Sequence, residues 1–87
     1  MIFEYDHVKN AANLAKHGID FDAAGQLWLD PELIEVQARS SDEPRSMIIG
    51  RIGSTHWSAV ITYRGPVVRI ISVRRSRVEE VRRYEGQ

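Results

Sequence analysis

The stretch RIISVRRSRVEEVRRYEG, residues 69–86, decides how this chain is read. Together with the two residues before it, Val67–Val73 is apolar apart from Arg69 and Ser72, which predicts a central strand covered on both faces. Ser76 and Glu79 then stand at capping-box spacing and predict a last helix carrying Val78, Val81 and Tyr84 inward. Arg69, Arg74, Arg75, Arg77, Arg82 and Arg83 are offset within the stretch only by Glu79, Glu80 and Glu85. These arginines accompany an apolar pattern that folds without them, so they face outward. A polyanion such as RNA or DNA, or an acidic protein partner, suits such a surface.

Working outward, the preceding segments read as paired strands. His56–Tyr63 alternates Trp57, Ala59, Ile61 and Tyr63 against His56, Ser58, Val60 and Thr62, and Gly65-Pro66 closes a hairpin into the 67–73 strand. Arg45–Ile52 is a further strand ending at the Gly53-Ser54 turn, and Ser40 to Pro44 is a polar loop. Ile34, Val36 and Ala38 alternate with Glu35, Gln37 and Arg39, as in a strand with one wet face.

The N-terminal third has helical period. After a short strand at Ile2–Tyr5, Asp6 reads as the cap of a helix over 7–17. Val8, Ala11, Ala12, Ala15 and Ile19 recur at helical spacing and mark its inner face, Lys9, Asn10, Asn13 and Lys16 take the outer one, and Gly18 stops it. Asp20 caps a second helix over 21–29, with Phe21, Ala24, Leu27 and Trp28 on one side, and Pro31 lies beyond its end. Trp28 and Trp57 both fall in apolar patterns and belong to the core. The order β, α, α, β, β, β, β, α predicts an α+β fold: a twisted antiparallel sheet with two N-terminal helices and one C-terminal helix, one sheet face left for a ligand. Residues 1–87 read as one domain, with no repeat or linker.

Composition narrows the class. The chain has 87 residues, no cysteine, twelve basic and twelve acidic side chains. A chain of this length hides only about 60–65% of its unfolded surface on folding. Absence of cysteine excludes disulfides, a thiolate nucleophile and Cys-based zinc sites. No segment approaches the length of a membrane helix and the N-terminus lacks a signal-like pattern, so a cytoplasmic location with no membrane association is expected. Neutrality hides an asymmetry. Residues 1–43 hold three basic against nine acidic side chains, and residues 44–87 hold nine arginines against three glutamates. Ten of the twelve basic residues are Arg, whose planar fork engages phosphate bidentately. A codon bias toward Arg explains that preference equally well.

At DHVKNAANLAKHGIDFDAA, residues 6–24, the sequence resembles the BrnT family of type II toxins. The likeness continues through Asp30-Pro31, Ile49-Gly50, Thr62-Tyr63-Arg64, Ile70-Ile71-Ser72-Val73-Arg74-Arg75 and Arg82-Arg83-Tyr84. Val73 stands where that family usually has Ala, and Ser76 where Ala or Thr is commoner. The resemblance implies a RelE-like fold and an RNA-cleaving growth inhibitor that acts on translation. It further implies a cognate BrnA-like antitoxin, a dimeric DNA-binding protein of ribbon-helix-helix type. The complex would be a dimer of toxin–antitoxin heterodimers that touches operator DNA only through the antitoxin. RNA, free or ribosome-bound, is the implied substrate.

Cleaving RNA without a metal needs a base for the 2′-OH proton, cations for the phosphorane and an acid for the departing 5′-oxygen. Arg64, Arg74 and Arg75, near the ends of neighbouring antiparallel strands, are expected to approach one another across the sheet and are the candidates for phosphate binding and transition-state stabilisation. His17 and Tyr84 are the candidates for proton transfer. His17, like Lys16, also reads as a charge at a helix C-terminus, and Tyr84 as a core-edge aromatic. Lys16, Arg69, Arg77, Arg82, Arg83 and His56 are candidate RNA contacts, with a solvated strand end the other reading of His56. His7, His17 and His56 lack zinc-ligand spacing and no glycine-rich phosphate loop occurs, so neither metal nor cofactor is expected. The same arginines would also serve a non-catalytic nucleic-acid-binding module, or an interaction domain facing an acidic partner.

Overall fold

The computed structural model describes residues 1–39 and 42–86, so Ser40 and Ser41 of the expected polar loop lie outside the described residues, as does Gln87. In chain order the elements are β1 (Ile2–Glu4), α1 (His7–His17), α2 (Phe21–Ala24), a 3-10 helix (Gly25–Leu29), β2 (Ile34–Ala38), β3 (Arg45–Ile52), β4 (Thr55–Arg64), β5 (Val67–Arg75) and α3 (Val78–Glu85). The second helix is therefore shorter than its predicted span of 21–29. After Ala24 the chain tightens into 3-10 turns, with Asp30 N–H donating to Leu27 O at 3.0 Å just before Pro31.

The five strands form one sheet in the order β1-β5-β4-β3-β2. The pairs β2–β3, β3–β4 and β4–β5 are antiparallel, but β1 runs parallel to β5, matching Phe3 with Val68. The sheet is thus mixed, which corrects the antiparallel expectation. The two helices and three strands between β1 and β5 form a crossover long enough to return the chain in the same direction. Two-residue turns close the β3–β4 and β4–β5 hairpins, and Gly53 (φ 61°) and Gly65 (φ 57°) take the left-handed geometry these turns require.

The core lies on one face of the sheet. Ile48, Ala59, Ile61, Val68, Ile70 and Val73 pack there against Ile19, Phe21, Ala24 and Leu27. Trp28 and Trp57 are partly buried against this cluster, with Phe3 edge-on to Trp28 at 4.9 Å and Tyr5 edge-on to Phe21 at 5.4 Å. Gly50 sits where the 3-10 helix and the turn after it press on β3. A Cβ there would meet Leu33 Cδ1 at 3.1 Å and Leu27 Cδ2 at 3.2 Å.

Helix α1 begins at Asp6, which accepts the Val8 N–H at 3.0 Å, and ends at Gly18 (φ 76°). Lys9 and Lys16 are exposed and Ile19 is buried, as expected, but the rest of the predicted inner face does not pack. Val8 is 77% exposed, Ala11, Ala12 and Ala15 are also exposed, and Asn13 is buried. Backbone accounting explains why. β1 pairs with β5 only as far as Arg69, leaving the Val73 N–H and C=O without a strand partner on that side. The Asn13 carboxamide bonds both, at 3.1 and 2.9 Å, and also donates to Ile19 O at 2.9 Å. Asn10 meanwhile accepts the Phe21 N–H at 2.7 Å. The helix docks through amides because the surface beneath it is unpaired backbone.

Helix α3 also differs from expectation. It starts one residue later than the Ser76–Glu79 box implies, with Arg77 at its N-cap and Glu80 accepting the Arg77 N–H at 2.8 Å. Ser76 is held instead in a continuation of the strand, its N–H donating to His56 O at 3.0 Å. Tyr84 is buried, whereas Val78 is 65% exposed rather than inward.

Candidate functional site

Residues alternate across a strand, so the neighbours of core residues build the opposite face of the sheet. Register aligns Val36, Met47, Val60 and Ser72 across β2, β3, β4 and β5 on that face. The pairing slips after Val60, so that Ile61 meets Ile70 and Ile71 becomes an extra residue beside this row. α3 crosses the same face nearer the Ser58 end, where Ser58 Oγ donates to Glu80 at 2.9 Å. The last helix therefore covers part of the face expected to be left open, and it turns the remainder into a walled cleft.

The cleft measures about 510 Å³. Its floor is Val36, Met47, Val60 and Ile71; its rim carries Arg39 and Arg45 from one side, Arg74 from β5, and Arg77 and Arg83 from α3. Five arginines face two glutamates, Glu79 and Glu80, and no histidine lines it. Arg45 Nε is buried without a hydrogen-bond partner among the described residues. An apolar floor under a cationic rim suits an unstacked base and its flanking phosphates.

Glu80 organises the α3 wall. Its Oε1 accepts from Ser58 Oγ (2.9 Å), Arg74 Nη1 (2.8 Å) and the Arg77 N–H (2.8 Å), and its Oε2 accepts from Arg74 Nη2 (2.8 Å). The Arg74 hydrogen bonds, outweighing burial and helped by Arg77 and Ser58, hold the Glu80 carboxyl at about 2. Arg74 is correspondingly pushed up, chiefly by the bond to Glu80. Ser58 Oγ lies 2.8 Å from Ser76 Oγ, joining the strand-to-helix corner to the same network.

The residues singled out from sequence divide between sites. Arg74, Arg77 and Arg83 reach the cleft. Arg64 does not. Arg74 pairs with Ser58, and Arg64 lies six strand residues beyond Ser58, about 20 Å away. In an antiparallel hairpin the end of one strand meets the start of the next, so Arg64 sits by Val67 and 3.7 Å from Glu4, which also draws Arg69 to 3.7 Å. The expected approach of Arg64 to Arg74 and Arg75 is thus corrected. Arg75 is paired with Trp57, on the face opposite Arg74, and its guanidinium lies 5.9 Å from that ring's centroid. Arg82 is exposed on α3 and does not line the cleft.

The proton-transfer candidates also fall outside it. Tyr84 is buried and donates its hydroxyl to Asp30 Oδ2 at 2.7 Å; burial and then Asp30 raise the phenol's pKa. His56 packs edge-on to Tyr84 at 5.1 Å, its Nε2 buried without a partner among the described residues. Lys16 and His17 close α1, which docks through Asn13 on the β5 backbone beyond its pairing with β1, and neither lines the cleft. Sequence reading missed Arg39, Arg45, Ser58 and Glu80. The available signal was Arg45 opening a strand directly after the one that Arg39 closes, which sets both at one hairpin end. No group of three or more metal-ligand side chains occurs among the described residues, and none of their helices is long and apolar enough to cross a membrane.

Two comparisons with known proteins bear on this site. A family model described as ribonuclease toxin, BrnT, of type II toxin-antitoxin system, matches residues 5–80. No curated protein matches the chain.

Proposed function

The chain belongs to the BrnT family of ribonuclease toxins of type II toxin–antitoxin systems, and from that premise we propose that its arginine-rimmed cleft binds RNA and cleaves it without a metal, inhibiting translation and growth. The observation that carries this reading is the rim of five arginines over an apolar floor on the sheet face away from the core. In the reaction the 2′-oxygen attacks the adjacent phosphorus, the 2′-OH proton passes to a base, and the P–O5′ bond breaks as the departing oxygen gains a proton. The products are a 2′,3′-cyclic phosphate and a 5′-OH. Arginines stabilise the charge that builds on the non-bridging oxygens. Of the two cleft carboxylates, Glu80 is committed to Arg74 and held at about 2, a poor base. Glu79 has the freer carboxylate and is the proposed base.

The partner of a type II toxin is an antitoxin. We take it here to be a ribbon-helix-helix dimer that silences the toxin in a dimer of heterodimers and carries the contacts to operator DNA. An acidic antitoxin segment complements the same arginine rim.

Expression of the chain alone should arrest bacterial growth and degrade transcripts, and Arg45→Ala should relieve both. Normal growth with intact RNA at full soluble expression of the unaltered chain would refute the reading. The absence of histidine from the cleft favours one alternative, an RNA-binding module without cleavage. That alternative predicts salt-sensitive retention of RNA and no cyclic-phosphate ends.

A further inference from the structure

Among the described residues, Arg74 is the one cleft arginine with an ion pair to a second side chain, and the geometry of that hold has a chemical consequence. A guanidinium carries five N–H donors. Arg74 Nη1 spends its two on Glu80 Oε1 (2.8 Å) and Arg75 O (3.1 Å), and Nη2 spends one on Glu80 Oε2 (2.8 Å). The Nε–H and the second Nη2–H have no protein partner among the described residues, and they lie on the same edge of the planar group. Arg74 lines the cleft. The ion pair is only slightly open to solvent, with Arg74 24% and Glu80 12% exposed in their side chains.

We infer that Glu80 is a positioning residue for RNA cleavage: by gripping Arg74 end-on, it presents the remaining Nε–Nη2 edge of the guanidinium as a rigid fork for the scissile phosphate. Two parallel N–H donors at that edge match two phosphate oxygens. Glu80 does not touch the substrate. Its two further donors are Ser58 Oγ and the Arg77 N–H, so the carboxylate is itself fixed from β4 and from the start of α3. A flexible arginine would have to be ordered in each turnover; this one is ordered before RNA arrives. The inference rests on the cleft being the RNA site.

Cleavage of a labelled single-stranded RNA in a reconstituted translation mixture, at saturating and at limiting RNA, tests it with the full-length chain. Glu80→Gln, Arg74→Ala and the double variant are compared, with thermal melting as the control for folding. Glu80→Gln should lower the rate at saturating RNA about 10- to 100-fold, the range expected when a transition-state donor is misplaced. In an Arg74→Ala background the same change should cost less than twofold, because its effect passes through Arg74. Added guanidinium ion should partly restore Arg74→Ala when Glu80 is present, and not when it is Gln. Should Glu80→Gln melt below the assay temperature, Arg74→Lys serves in its place. It keeps the charge, loses the fork, and should show the same 10- to 100-fold loss. Wild-type rates in Glu80→Gln or Arg74→Lys, or additive losses in the double variant, overturn the inference. If Arg45→Ala also cleaves at the wild-type rate, the cleft itself is not the RNA site; if Arg45→Ala is impaired while Glu80→Gln is not, the clamp alone is wrong.

Discussion

The Tyr84 hydroxyl donates to Asp30 Oδ2 at 2.7 Å, joining the last helix to the turn before β2 across 54 residues of sequence. Asp30 also accepts the backbone N–H groups of Glu32 and Arg51, at 2.9 and 2.8 Å. Burial works to raise the Asp30 carboxyl, but these hydrogen bonds outweigh it and lower the pKa. Tyr84→Phe removes one donor from an acceptor that keeps two others, so it should destabilise the fold by about 1 kcal/mol. RNA cleavage should persist, because the phenol is turned away from the cleft. Loss of cleavage in a variant of near wild-type melting temperature would restore Tyr84 to the chemistry.

Asn13→Ala should be far more damaging. Three hydrogen bonds to buried backbone disappear together, and Val73 is left with an unsatisfied N–H and C=O, which points to a loss of about 3 kcal/mol or more. Asn13→Leu should fare no better despite its higher helix propensity and apolar character. Urea unfolding measures both. A loss under about 1 kcal/mol would mean that water replaces the carboxamide.

That case shows where the sequence stops being legible. Period identified α1 and its ends, since Asp6 and Gly18 act within a turn of themselves. Period failed on the face, because the rule that apolar residues point inward assumes an apolar surface beneath, and α1 lies over exposed strand backbone. Turn chemistry was local in the same way at Gly53 and Gly65, and the hairpins followed from it. The parallel β1–β5 pair depends on segments 65 residues apart, Ile2 with Val67, and nothing in either segment announces the other. The cleft was half legible. The arginine-rich end of the chain pointed to Arg74, Arg77 and Arg83, but linear density says nothing of register, and register is what brings in Arg45 and removes Arg64.

Acid should loosen the α3 wall at a predictable pH. Glu80 is held at about 2 against an ordinary 4.5, so the unfolded chain takes up this proton first as pH falls. The stability it contributes is fully present above pH 5 and is lost as pH drops through 4.5 toward 2. Its upper limit is about 3 kcal/mol, from roughly 1.4 kcal/mol per pH unit. Urea unfolding of wild type and Glu80→Gln at pH 7, 4 and 2.5 should show a gap that narrows with acid. A gap of constant size would mean that charge on Glu80 contributes nothing.

Gly50→Ala probes the contact between β3 and the 3-10 helix. The added methyl would press on Leu33 at 3.1 Å, Leu27 at 3.2 Å and Asp30 Oδ2 at 3.4 Å. Leu27 is fully buried and has little room to withdraw. Overpacking of this kind costs about 1–3 kcal/mol, read as a lower melting temperature. An unchanged melting temperature would show that the Leu33 side chain swings clear.

Arg64→Ala and Arg45→Ala separate the two ends of the charged surface. Both residues are strand-terminal arginines, and by sequence alone Arg64, within the Thr62-Tyr63-Arg64 match, looks the more functional. Register reverses that order. Arg64 sits at the β4–β5 hairpin, more than half exposed and 3.7 Å from Glu4, where an ion pair contributes within about 0.5 kcal/mol. Arg45 stands on the cleft rim with a buried Nε that has no partner among the described residues, a donor that an RNA phosphate would satisfy. Arg64→Ala should therefore leave cleavage within about twofold of wild type, whereas Arg45→Ala should weaken RNA binding and reduce its salt dependence by about one counterion. Filter binding over a range of salt concentrations decides between them, and the opposite result, with Arg64 the sensitive position, would move the RNA site to the hairpin end of the sheet.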